Sequence, residues 1–163
     1  MTSLITHTHL DLIDWRDAEL SELFSTLPAG DLPNGHLHGR LFAVRGLGAL
    51  PRPLAGVLYR VLSTPINPWR GKSFHGSQGS NHLLWLQGPA LGHYRIGRQT
   101  GMDGQPSLWL DYNLDRNPAL LRHIRGEARQ LRTGQWLCRM LWQGNQAQTT
   151  LLWFTLQGAQ HGR

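Results

Sequence analysis

The chain has 163 residues, 40% of them apolar, which suffices for one domain with a single core and excludes whole-chain disorder. Its one cysteine, Cys138, excludes an internal disulfide and a multi-thiolate zinc site, while a net charge of +6 raises the question of a polyanionic partner. No apolar run reaches the roughly 18 residues of a membrane span, and the opening MTSLITHTHL lacks the regions of a signal peptide, so the expectation is a cytoplasmic protein with no membrane partner.

Residues 1–13 read as a loosely ordered arm. Asp14 is placed to cap a helix over 14–27, with Asp17 and Glu19 in its early turns and Trp15, Leu20, Leu23, Phe24 and Leu27 on one apolar face. Pro28 and Gly30 stop it. The stretch 31–39 is loop-like and leads into a strand over 39–45. A second helix is expected over 52–62, with Pro53 in its first turn and Leu54, Val57, Leu58, Val61 and Leu62 on one face.

From Trp69 onward the pattern changes to short strands. They are expected over 72–75, 81–87, 91–98, 107–113, 125–132, 135–143 and 148–157, with a helical turn at 118–124. Turn signals separate them: Gly76 to Gly79, Gly88-Pro89, Asp103-Gly104, Thr133-Gly134 and Gly144-Asn145. Hairpin-linked strands at about ten-residue spacing predict a mainly β protein, an antiparallel barrel of seven to nine strands with two helices toward the N-terminus. One domain is expected over 1–163, with the barrel over 39–157.

Fifteen of the 16 basic residues are arginine, and they are scattered singly. Without a basic cluster, a helix-turn-helix or an aromatic-rich RNA-binding signature, no specific nucleic-acid partner is expected.

Lys72, the only lysine, follows Trp69 and Gly71 at the start of the strand series. Trp69 is placed to plug one end of the barrel. A buried lysine there requires either a carboxylate partner or a lowered pKa. In Leu108 to Asn113, alternation sets Leu108, Leu110 and Tyr112 against Trp109, Asp111 and Asn113, so both faces carry bulk and polarity. Asp111 or Tyr112 is therefore expected to be partly buried. Alternation also aligns Arg125, Glu127 and Arg129 opposite Gly126 and Ala128, small residues that admit the close approach of a helix. An exposed charge ladder of this kind contributes little; an internal one must pair within itself or with Asp111, Lys72 or Arg95.

The pairs His7/His9 and His36/His38 suit a metal by spacing, but no glutamate follows within a few residues of His38 and no later glycine-and-histidine segment completes a site, so no metal and no cofactor are expected. There is no nucleophile elbow or phosphate-binding loop, and Cys138 alternates with Trp136, Met140 and Trp142 as a buried, inert thiol.

The chain resembles a family of uncharacterised bacterial lipocalin-like (calycin-type) proteins. The resemblance rests on Pro33 to Gly39, Trp69-Arg70-Gly71-Lys72-Ser73-Phe74, Leu110-Asp111-Tyr112, Arg125-Gly126-Glu127-Ala128-Arg129 and Gly134, across about residues 28–157. It implies a calycin-type barrel and no established reaction. It also favours the internal placement of Arg125, Glu127 and Arg129, with Asp111 or Lys72 nearby. The leading expectation is a cavity that binds a small, mainly apolar ligand with an acidic group, through Trp69, Lys72, Tyr94, Asp111, Tyr112, Arg125, Glu127 and Arg129. An enzymatic alternative, an isomerase, cyclase or dehydratase, uses Asp111 or Glu127 as base and Tyr112 or Lys72 to polarise a carbonyl. A third is a non-catalytic interaction module that forms a homodimer.

Overall fold

Eight strands, each antiparallel to the next, close into a barrel because the last pairs with the first. They are β1 (Gly35–Val44), β2 (Trp69–His75), β3 (Gln78–Leu83), β4 (Leu91–Thr100), β5 (Pro106–Asp111), β6 (Ile124–Arg132), β7 (Gln135–Gln143) and β8 (Gln148–Gly158). The computed structural model describes residue 12 and residues 15–44, 69–83 and 91–158, with backbone only for 41–44, 69, 70, 82, 83 and 91. The eight-stranded count falls within the expected range, and the 3-10 turn Leu121–His123 lies inside the expected helical turn.

The first strand begins earlier than its sequence pattern suggests. Residues 35–38, expected as loop, pair with β2, and from Leu37 onward β1 also pairs with β8. Glycine and histidine carry no apolar alternation, but barrel closure needs only their backbone groups. Gly71 answers to the same contact. It sits at a bulge in β2 with φ +141°, and a Cβ there would lie 1.9 Å from the Leu37 carbonyl oxygen. The glycine two residues after Trp69 is thus a packing requirement of the β1–β2 approach.

Alternation divides the wall into two faces with different fates. Lys72, Phe74, Tyr94, Tyr112, Cys138 and Phe154 point inward, where the apolar ones among them join a single buried cluster fed by β1, β2 and β4 to β8. Gly126 and Ala128 also face inward, and a Cβ on Gly126 would come 3.0 Å from the Leu110 Cβ. They make room for bulky neighbours in a narrow barrel; they do not admit a helix, contrary to the sequence-based expectation.

The helix α1 (Asp17–Thr26) lies on the outer face instead. Its Leu20 and Phe24 pack with Leu12, Leu137 and Trp153, and Phe24 meets Trp153 edge-on at 5.6 Å between ring centres. The Trp153 Nε1–H donates to Asp17 Oδ1 at 2.7 Å, which ties the first turn of α1 to β8. Arg16 takes the N-cap position, and its N–H donates to the Glu19 carboxylate at 2.7 Å. The expected cap Asp14 lies outside the described residues, as does the second expected helix, 52–62. Only one α-helix of two turns or more therefore stands among the described residues, where two were expected. None is long and apolar enough to cross a membrane.

Candidate functional site

Inside the barrel, Lys72 sits among aromatic rings. Lys72 is 1% exposed, and its Nζ donates to Asn81 Oδ1 and to the Tyr112 hydroxyl, both at 2.5 Å. Asn81 stands directly opposite Lys72 in the β2–β3 pairing, whereas Tyr112 reaches it from just beyond the end of β5. The rings of Tyr94, Tyr112 and Phe154 surround Nζ with centres at 5.0, 5.2 and 5.5 Å. Tyr94 is pinned by donating its hydroxyl to the Ser73 carbonyl at 2.7 Å. Asn117 fastens the Tyr112 end, since its amide donates to the Tyr112 and His93 carbonyls.

Burial sets the protonation of the whole cluster. Desolvation pulls Lys72 down from 10.5 to about 7, against a small opposing influence of Cys138. It pushes the phenols of Tyr94 and Tyr112 and the Cys138 thiol well above their ordinary values, so all three stay protonated. Sequence reasoning allowed a buried lysine a carboxylate partner or a lowered pKa, and burial acts here in the second direction.

This shift has a consequence for stability with a definite sign. Below pH 7 both folded and unfolded chains carry a charged Lys72, and the folded protein bears the full desolvation cost. Between about 7 and 10.5 the folded amine is already neutral, and the cost shrinks as pH rises. Lys72→Met is thus expected to be more stable than wild type by a few kcal/mol below pH 7, with the gap narrowing toward pH 10.5. Urea unfolding of both proteins at about pH 6 and about pH 9.5 measures it. Equal gaps at the two pH values would refute the buried amine.

The charged residues of β6 lie elsewhere. Arg125, Glu127 and Arg129 project from the outer wall, opposite Gly126 and Ala128, so the expectation that they line the interior is overturned. Glu127 and Arg129 are nevertheless 0% exposed: Arg129 lies against Phe24 of α1, and Glu127 lies between Arg139 and the backbone at Met102. The Arg139 Nε donates to Glu127 Oε2 at 2.7 Å, with Nη2 of Arg139 at 2.5 Å from the same oxygen. The Met102 N–H donates to Glu127 Oε1 at 2.6 Å. Arg129 grips Asp103 with both Nη atoms at 2.8 and 2.6 Å, and also donates to the Phe24 carbonyl at 2.8 Å. Partial burial pushes the Asp103 carboxyl up, but hydrogen bonds from Arg129 and from the Gln105 N–H, with the charges of Arg129 and Arg139, leave it lowered.

Asp111 also faces outward, 3.0 Å from Arg125 and 3.9 Å from Arg95. Of the eight residues expected to bind a ligand, the structure brings together Lys72, Tyr94 and Tyr112. It separates Asp111, Arg125, Glu127 and Arg129 from them by the thickness of the sheet, which removes Asp111 and Glu127 as bases for a reaction in the interior. The backbone of Trp69 opens β2, and its side chain lies outside the described residues. Sequence reasoning missed Asn81 and Arg139 altogether, the two side chains that partner Lys72 and Glu127.

Among the described residues no three His, Cys, Asp or Glu side chains gather as a metal site. His36 Nδ1 lies 3.2 Å from Ser73 Oγ, and its ring meets His75 edge-on at 6.4 Å. His7 and His9 lie outside the described residues. Cys138 is buried in the interior as expected.

The eight-stranded barrel defines a fold class that comparison with solved structures supports. A crystal structure of a protein from Thermomonospora curvata superposes with a TM-score of 0.58 at 21% identity, covering 88% of this chain and 87% of that one. At that identity the likeness is one of fold. No family model matches the chain, and no curated protein matches it.

Proposed function

We propose that this protein is a lipocalin-like binding protein, taking a small, mainly apolar ligand into the barrel with an acidic or carbonyl oxygen directed at Lys72. The observation that carries this reading is the lysine itself. Removing an ammonium-sized group from water costs several kcal/mol even after relaxation, and a leucine or methionine would fill the same space without that cost. A purely structural core has no use for the chain's only lysine, whereas a ligand oxygen does. Closed up-and-down barrels of eight strands are an architecture that holds one small ligand, and the aromatic rings around Nζ offer it apolar walls.

An acidic ligand would restore charge to the amine. A carboxylate beside Nζ raises the lysine pKa, so its binding near pH 7 takes up a proton. The test is calorimetric titration with decanoic acid and with decanol, which share an apolar chain and differ at the polar end. Saturable binding of decanoate, weakened at least about tenfold in Lys72→Met, is the expected result, a loss of about 1.4 kcal/mol. Failure of both compounds to bind, or equal affinity in the variant, overturns the proposal.

A further inference from the structure

We infer that Lys72 is a carbonyl-capturing amine, its Nζ condensing with a small apolar aldehyde or ketone in the barrel while Tyr112 relays the proton and Asn81 orients the nitrogen. This rests on the ligand-binding reading above and narrows it to one ligand chemistry.

The geometry supplies what such a reaction needs. Nζ is held between two neutral oxygens, the Asn81 Oδ1 and the Tyr112 hydroxyl, each at 2.5 Å. The Asn81 carbonyl only accepts, so it aligns an N–H of Lys72. Tyr112 both donates and accepts, and its position beside Nζ is fixed by ring packing against Tyr94, with centres 5.3 Å apart. Aromatic faces on three sides keep the amine out of water, and burial lowers its pKa to about 7, which favours the neutral, nucleophilic form over that of an exposed lysine. A neutral electrophile suits this site because its capture buries no second charge. Cys138, which also lies inside the barrel, stays a thiol because burial pushes its pKa up.

The step balances without an external reagent. The Nζ lone pair adds to the carbonyl carbon as the C=O π pair moves to oxygen, and a nitrogen proton passes to that oxygen through the Tyr112 hydroxyl. The resulting carbinolamine loses its hydroxyl and the second nitrogen proton as one water, and C=N forms. Nothing is oxidised or reduced, and a water-poor interior favours the condensed product.

Having a single lysine makes the test unambiguous. The full-length protein is incubated at pH 7 with decanal and sodium cyanoborohydride, then measured by intact mass and peptide mapping. One decyl group per chain at Lys72 is expected, saturating with decanal concentration, absent in Lys72→Arg, and formed about 100-fold more slowly in Tyr112→Phe. Modification confined to the N-terminal amine, or at Lys72 without saturation and no faster than N-acetyl-lysine methyl ester, overturns the inference. The decanoate and decanol titrations separate the two levels. If those compounds bind and Lys72 stays unmodified by decanal, the imine chemistry falls and the binding reading stands; if none of the three engages the protein, both fall.

Discussion

Glu127→Ala is expected to lower the unfolding free energy by about 3–5 kcal/mol, because it leaves a buried guanidinium without its counter-charge. Arg139 is 2% exposed and directs both Nε and Nη2 at the Glu127 carboxylate. The same truncation strips the Met102 N–H of its acceptor. The Arg139 guanidinium is covered by the Phe24 ring of α1, 4.5 Å from Cζ to the ring centre, which limits replacement of the lost carboxylate by water. The companion double variant, Glu127→Leu with Arg139→Met, removes both charges and is expected to recover most of the loss, as apolar replacement of buried pairs often does. Urea unfolding of the three proteins at one pH measures these differences. A loss below about 1 kcal/mol for Glu127→Ala would mean that the pair is solvated, as exposed pairs are.

Phe24→Ala is expected to cost about 3–5 kcal/mol and to release α1 from the wall. The Phe24 ring is 0% exposed and meets Trp153 edge-on. It also lies under two guanidiniums, with Arg129 Cζ at 4.4 Å and Arg139 Cζ at 4.5 Å from the ring centre. Both buried cations lose their cation–π contact when the ring is removed. Hydrogen exchange gives the discriminating readout. The amides of Asp17–Thr26 should exchange in the variant far faster than those of β6 and β7, reporting local detachment rather than global unfolding. Uniform exchange across α1 and the barrel would refute a separately docking helix.

Several features of this protein are determined by its sequence alone. Regular spacing of turn residues and period-two alternation place β6, β7 and β8 within a residue of their observed limits, because hairpins encode structure in contiguous residues. The opposition of Leu108, Leu110 and Tyr112 to Trp109 and Asp111 holds for the same reason. Even Asn81 was within reach. Gly76-Ser77 forms the two-residue turn between His75 and Gln78, and counting back from that turn sets Lys72 opposite Asn81. Placing the turn over Gly76 to Gly79 obscured it.

The Glu127–Arg139 pair was not within reach. Counting from the Thr133-Gly134 turn sets Glu127 opposite Met140, but a bulge between Gln130 and Arg132 slips the register by one residue and brings Arg139 there instead. A bulge is settled by the whole ladder of cross-strand contacts, not by the local residues that signal a turn. Which side of the wall faced inward was likewise open, since alternation sorts Arg125, Glu127 and Arg129 from Gly126 and Ala128 without naming the interior. Tertiary packing decided it: beside Leu110 the inner face of β6 has space only for glycine and alanine, and on the outer face Arg129 is covered by a helix about a hundred residues away in the chain. Sequence periodicity defines faces, and only the volume enclosed by the closed sheet, with what docks on its outside, determines the environment each face meets.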